Sequence, residues 1–203
     1  MKTKLSKKRA ISTVLTTVII LVSSVVLGSG VVLYGTSLFQ ASTQQESITA
    51  SGIKMWVDNE DTNGVSWGAA KIRNTGDKLV AIDKIQIRGV DIPFTNWFPD
   101  TTVNSTTFQQ ALNFTSFGAG NTLTKDATVC GGGFVISIRL GVTSDVCANA
   151  GSGPIALSPG ASSIIYFHLT NGTITSLDAG ITTSVGIFAG KAGAPQSVTV
   201  EGR

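Results

Sequence analysis

Residues 1–45 decide the fold: the cationic start MKTKLSKKR (1–9) is followed by AISTVLTTVIILVSSVVLGSGVVLYGTSLFQASTQQ (10–45), which carries no charged side chain. Val, Leu and Ile dominate residues 14–39. A helix of about 20 apolar residues, rising 1.5 Å per residue, crosses the hydrocarbon core of a bilayer. Because cationic residues favour the cytoplasmic side of a membrane, the chain beyond this segment is expected outside the cytoplasm.

The net charge of the chain depends on whether its cationic start is removed. The formal charge is +3, and residues 1–9 supply five of the 15 basic side chains. A cut after Ala10 leaves 10 basic residues against 12 acidic ones, a net charge of −2. Without a basic stripe the protein has no means of displacing counterions from phosphates, so nucleic-acid binding is not expected.

Three interpretations of the apolar segment compete. A conventional secretory signal has an apolar region of about 7–15 residues followed by a small-residue cleavage site, a role that Gly28, Ser29, Gly30 or Ala41 would have to fill. A permanent single-span anchor would keep the segment uncut. In the third interpretation, a leader is removed before the apolar run and the helix is retained.

The order Lys7-Lys8-Arg9-Ala10-Ile11-Ser12 resembles the prepilin, or class III, signal of archaeal type IV pilins and archaellins. The resemblance covers residues 6–45. It implies that a prepilin peptidase recognises Lys7, Lys8 and Arg9 and cuts between Ala10 and Ile11.

Two details place the resemblance within the family. The mature start Ile11-Ser12-Thr13-Val14 is closer to archaeal pilins than to the Thr-Gly-Ile-Gly run common in archaellins. Leu15 stands at the fifth mature position, where bacterial pilins typically carry glutamate. The archaeal branch therefore fits better, and a pilus is favoured over a rotary archaellum.

The expected organisation is a prepilin-type leader over residues 1–10, a hydrophobic transmembrane and filament-core helix over residues 11–46, and an extracellular β-sandwich domain over residues 47–203. In a filament the helix would pack against sister helices. Val25 and Val31 are stiff side chains that lose little entropy on packing, whereas Gly28 and Gly30 permit close backbone approach. Hydroxyl groups can bond to helix carbonyls, as expected for Thr13, Thr16, Thr17, Ser23 and Ser24.

The remainder of the chain alternates short apolar runs with Gly, Asn and Pro turns, which is typical of β-strands. Strands are predicted at residues 53–57, 65–73, 79–90, 134–140, 163–170, 183–189 and 197–201. The turn signal at residues 74–77 predicts that the second and third strands form a hairpin. The predicted fold class is α+β: a long hydrophobic N-terminal helix followed by an antiparallel immunoglobulin-like β-sandwich, which the filament resemblance also implies.

Residues 91–129 show no sustained periodicity. Their aromatic side chains are Phe94, Trp97, Phe98, Phe108, Phe114 and Phe117. One interpretation is a long irregular segment, which we call the excursion, whose aromatic side chains pack it onto the sandwich. The other is a contact surface for neighbouring subunits or another cell.

Cys130 and Cys147 are the only cysteines, and an oxidising exterior predicts a disulfide between them, with two free buried thiols as the alternative. A zinc site would need two further ligands, and His168 is the only histidine. His168 is interpreted as a structural residue of a strand. No metal site and no cofactor are predicted.

An enzyme is not expected, because the chain has no second histidine, nucleophile elbow or phosphate loop. Asp58, Glu60, Asp61 and Asn63 offer oxygen ligands for Ca²⁺, but Ala69 stands where the twelfth-position Glu of an EF-hand belongs. A solvated acidic turn is the preferred interpretation.

Three N-glycosylation acceptor patterns begin at Asn104, Asn113 and Asn171. Export would make their modification possible. Asn104 and Asn113 lie on the irregular excursion and are the favoured candidates.

The function expected from the sequence is that of a structural subunit of an archaeal type IV pilus-like filament for surface attachment. The precursor would wait in the cytoplasmic membrane with its C-terminal domain outside, and its partners would be the prepilin peptidase, the pilus assembly machinery and further copies of itself. Two alternatives stay open: an archaellin of a motility filament, and a membrane-anchored extracellular domain that binds a solute or carbohydrate and never polymerises. No small-molecule substrate is expected.

Overall fold

A computed structural model describes residues 4–43, 46–60, 64–118, 122–123, 129–130, 133–142 and 144–203. The chain divides into two units, Met1–Gln44 and Gln45–Arg203. The first unit contains a single helix, α1 (Lys4–Thr43). Its sequence contains no Pro, so every backbone carbonyl inside the helix can find an amide partner four residues on.

The second unit is mostly β-structure, as the sequence predicts. Its strands are β1 (Ile48–Val57), β2 (Ser66–Asn74), β3 (Val80–Ile87), β4 (Val90–Asp91), β5 (Trp97–Asp100), β6 (Phe117–Gly118), β7 (Thr122–Leu123), β8 (Ile136–Arg139), β9 (Asp145–Ala148), β10 (Ile155–Leu157), β11 (Ser162–His168), β12 (Thr182–Ala189) and β13 (Ala192–Gly202). A short helix, α2, spans Ser105–Gln109, and 3₁₀ turns lie at Phe94–Asn96 and Ser176–Asp178.

Within the described residues, nine strands form one curled sheet in the order β10-β3-β12-β13-β1-β2-β11-β5, with β4 paired to β3. We call β10, β3, β4 and β12 half-sheet 1, and β1, β2, β11 and β5 half-sheet 2. Strand β13 joins them, since it is antiparallel to β12 along Ala192–Thr199 and pairs with β1 through Val200–Gly202. The β6–β7 and β8–β9 pairs form separate two-stranded sheets.

The inner core lies between the two half-sheets. Half-sheet 1 contributes Ile82, Ile85 and Ile187, all fully buried, and half-sheet 2 contributes Met55 and Ile72. Alternate side chains along the strands point into this core, and a register shift in β3, between the pairings of Ile82 with Ala189 and of Lys84 with Phe188, allows both Ile82 and Ile85 to do so.

An outer core covers the opposite face of half-sheet 2. Trp56, Trp67 and Tyr166 point to this face, where they meet apolar residues from the described parts of segment 98–148. Half-sheet 2 is therefore buried on both faces, which explains why β11 is buried without interruption over residues 163–167 and has a continuous apolar run over residues 164–167.

Aromatic residues fix the excursion onto half-sheet 2, as the first interpretation of residues 91–129 predicts. Phe114 lies 5.4 Å from Trp56 between ring centroids and 4.7 Å from Phe117. Trp97 is buried in the inner core and donates its indole N–H to the Ile92 carbonyl at 3.0 Å.

The predicted hairpin between the second and third strands is wrong. Strand β2 is flanked by β1 and β11, so neither of its edges is free for β3. The buried Asn74 redirects the chain: its Nδ2 donates to the carbonyls of Lys78 and Leu157, and its Oδ1 accepts from the Gly76 amide. The turn is real, but it crosses from half-sheet 2 to half-sheet 1.

Two further expectations need correction. The predicted strand 79–90 ends at Ile87, because Arg88 (φ 53°) and Gly89 (φ 81°) form a tight turn of left-handed residues that leads into β4. The sheet is also not wholly antiparallel, since β1 and β13 run parallel.

Candidate functional site

Helix α1 carries the most unusual surface of the protein. Residues Thr13–Phe39 form an apolar stretch of 27 residues with none of its side chains buried inside the protein. Its 16 large apolar side chains are each between 52% and 75% exposed. A helix that is hydrophobic all round belongs inside a membrane or inside a larger protein core.

This stretch is more than long enough to cross a bilayer. At 1.5 Å per residue, 27 residues extend about 40 Å, against about 30 Å for the hydrocarbon core. An apolar helix of this length near the N-terminus is compatible with membrane anchoring or with a signal sequence.

Several hydroxyl groups of the helix donate to backbone carbonyls one turn earlier. Thr17 donates to the Val14 carbonyl at 2.9 Å, and Ser24 donates to the Leu21 carbonyl at 2.8 Å. Ser29 makes the same bond three residues back. Such bonds allow polar residues to enter an apolar environment without unpaired donors, as the sequence predicts for Thr17 and Ser24.

The residues predicted to pack against sister helices lie on the helix surface. Val25 is 61% exposed and Val31 is 73% exposed. A Cβ atom added at Gly28 or Gly30 would meet nothing within 4 Å. Packing within this chain therefore gives no reason for glycine at these positions, and contact with other helices stays a prediction.

The predicted cleavage site lies within the helix backbone. Lys7, Lys8, Arg9, Ala10 and Ile11 all belong to α1, and their side chains are outside the part that the structure describes. Recognition by a peptidase stays a prediction.

The β domain is ordered from its first described residue. Glu46 accepts the Lys191 amide at 3.1 Å, and the Ser47 carbonyl accepts the amides of Thr75 and Gly76. Glu46 is the first charged residue after the apolar segment and directly precedes Ser47, the predicted start of the domain.

The predicted disulfide between Cys130 and Cys147 is confirmed, with Cα atoms 5.7 Å apart. Buried Asp100 supports it from β5, since its Oδ2 accepts the Cys147 amide at 3.0 Å and its Oδ1 accepts the Thr102 amide and hydroxyl. The disulfide joins two parts of the chain outside half-sheet 2, and the Asp100 hydrogen bond attaches β9 to β5 of that half-sheet. The Asp-Thr-Thr sequence at 100–102 is a local turn signal that could have identified this carboxylate.

The three glycosylation candidates are all exposed, but they differ in their bonds. Asn104 caps α2 with its Oδ1, which accepts the Thr107 amide at 2.7 Å, and this leaves Nδ2 available. The Nδ2 of Asn113 donates to the Arg139 carbonyl at 3.3 Å. Asn171 lies in a turn beside Gly172, whose φ is 82°. Of the two candidates on the excursion, Asn104 is therefore the one whose Nδ2 makes no hydrogen bond to the described residues.

His168 ends β11 as the predicted strand residue and packs against Trp67 at 5.1 Å between ring centroids. Burial lowers its pKa. Among the described residues, no group of three or more His, Cys, Asp or Glu side chains is placed to hold a metal ion. Of the predicted acidic turn, Asp61 and Asn63 lie outside the described residues.

Two ion pairs perturb carboxylates of the β domain. Hydrogen bonding from the Arg88 guanidinium, assisted by the Thr175 amide, lowers the pKa of Asp178. Lys54 likewise lowers the pKa of Glu201. Both pairs join separate segments of the domain.

A comparison of the chain with protein-family models found no match, and a comparison with curated proteins found none. The function of the chain is therefore argued from its own residues.

Proposed function

We propose that this chain is a structural subunit of an extracellular filament, similar to an archaeal type IV pilin, which polymerises through α1. The observation that carries the proposal is the all-round apolar surface of α1 beside a β domain that has its own two cores and disulfide. The β domain has no need of the helix for its core, so the helix is available for other partners.

The apolar side chains of α1 restrict the helix to environments that keep these side chains away from water. In a membrane its backbone is satisfied internally and its side chains are solvated by lipid, so the precursor is stable there. Outside the membrane, each Val or Leu must be buried, which stabilises by about 1.5–3 kcal/mol per side chain. With 16 large apolar side chains available, the free energy gained by burying them against sister helices, relative to exposure to water, would exceed the roughly 4–15 kcal/mol that association costs.

Processing is part of the proposal. A prepilin peptidase would remove residues 1–10 and leave Ile11 as the mature start, and the pilus assembly machinery would move the helix from the membrane into the filament. The curled sheet would form the outer domain of the filament, and its proposed fold is an immunoglobulin-like sandwich. The proposal assigns no enzymatic role to the chain.

A non-polymerising, membrane-anchored binding protein is the second candidate, and one observation favours it. The β domain contains an open groove whose polar lining is available for a ligand.

Electron microscopy of material sheared from the cell surface, combined with mass spectrometry of the same fraction, tests the filament proposal. We expect filaments whose principal protein is this chain. Recovery of the chain only from detergent-extracted membranes, with none in a filament fraction, would favour the anchored binding protein.

A further inference from the structure

A groove of about 510 Å³ lies between the end of β2, the start of β11 and the segment that leads into α2. Arg73 forms one wall, and Thr101, Ser105, Phe108 and Ser162 lie around it. The volume falls within the range of about 300–1,000 Å³ that is usual for small-molecule sites.

The groove lining carries one charged side chain, Arg73. Arg73 is exposed, and within the described residues its guanidinium makes no ion pair, whereas Arg88, Arg139 and Arg203 each contact a carboxylate. The groove lining contains no Asp or Glu. An arginine fork that is exposed to solvent is suited to bind a carboxylate through two parallel hydrogen bonds.

The rest of the lining is suited to hydroxyl groups. Thr101, Ser105 and Ser162 supply hydroxyls, and Gln109 supplies an amide. Phe108 is half-buried and packs against the outer core, and its ring centroid lies 5.8 Å from the Lys71 ammonium. A fixed aromatic face beside hydroxyls and amides offers an apolar platform with surrounding hydrogen-bond partners.

We propose that this groove binds an acidic saccharide, with Arg73 on the sugar carboxylate, Phe108 against the apolar face of the ring, and the hydroxyls and Gln109 on the sugar hydroxyls. A tetrahedral anion would use Arg73 but fill only a small part of the volume. An acidic peptide would use Arg73 but leave most of the hydroxyl lining unmatched. Binding at the groove does not require filament assembly.

The test uses the full chain in detergent micelles and ligand-observed NMR titrations. Asn104 also lines the groove, where a glycan would obstruct the ligand. Every sample therefore carries Thr106→Ala, which removes the acceptor pattern at Asn104 while keeping the Asn104 cap on the Thr107 amide. The probes are trigalacturonate, neutral maltotriose, inorganic phosphate and triglutamate. Arg73→Gln is compared with Lys84→Gln, which removes the same charge from half-sheet 1.

We expect trigalacturonate to bind, maltotriose to bind at least about tenfold more weakly, and Arg73→Gln to weaken trigalacturonate by about tenfold or more, as loss of a charged hydrogen-bond pair does. Lys84→Gln should leave the affinity unchanged. The proposal is overturned if trigalacturonate does not bind, if phosphate or triglutamate binds as tightly, or if the two variants behave alike.

Discussion

Asn74 is the residue on which the crossover between the half-sheets depends. Its side chain is fully buried and makes three hydrogen bonds, to the carbonyls of Lys78 and Leu157 and from the Gly76 amide. Each contributes about 0.5–1.5 kcal/mol net, so Asn74→Ala should lower the free energy of unfolding by about 3 kcal/mol. Asn74→Asp should lower the free energy of unfolding further at neutral pH. The buried carboxylate has no N–H to donate to the carbonyls of Lys78 and Leu157, and its negative charge would lie beside both oxygens.

Urea unfolding followed by tryptophan fluorescence measures this effect. All three tryptophans are buried in the β domain, so the signal reports on that domain alone. With a slope of about 2 kcal/mol/M, a loss of 3 kcal/mol moves the midpoint by about 1.5 M. Asn171→Ala, at an exposed turn, is the control and should change stability by less than about 0.5 kcal/mol. If both Asn74 variants unfold like the control, the account of the crossover is wrong.

Three further outcomes are expected. Replacing Cys130 and Cys147 together by Ser should lower the free energy of unfolding by about 3 kcal/mol, since the disulfide spans 17 residues; an unchanged urea midpoint would contradict this. The Asp178 pair with Arg88 stabilises the domain above the ordinary Asp pKa, and this contribution is lost as the pH falls through the lowered pKa in the folded state; Arg88→Gln should therefore flatten the acid end of the stability profile. N-terminal sequencing of surface protein should find Ile11 first, and a start near Gly30 would indicate ordinary secretion instead.

The sequence predicted the helix and most long strands because their signals are local. Residues 14–39 are dominated by Val, Leu and Ile and carry no charged side chain, and the strand predicted at 183–189 is found as Thr182–Ala189. The disulfide followed from having only two cysteines and an expected exterior location. These inferences needed no knowledge of which strands are neighbours.

The pairing of the strands and the burial of half-sheet 2 on both faces could not be predicted from local signals. The turn signal after Asn74 indicated a reversal but not which strand would be met, because the edges of β2 were occupied by β1 and β11 from distant parts of the chain. The short strand Trp97–Asp100 was hidden in a segment without periodicity. Arg73 belongs to a groove that forms only when β2, β11 and α2 come together.

The measurement that tests the central claim most directly is assembly of the mature subunit beginning at Ile11, followed by sedimentation and electron microscopy. It is compared with the β domain beginning at Gln45, with Val25→Asp, and with Val142→Asp, which makes the same change at a 94% exposed position outside the helix. An unpaired carboxylate in a helix core costs several kcal/mol. We expect filaments from the mature subunit and from Val142→Asp, and none from Val25→Asp or the isolated domain. Filaments built by the isolated domain, or by Val25→Asp as readily as by the unaltered subunit, would contradict assembly through the helix.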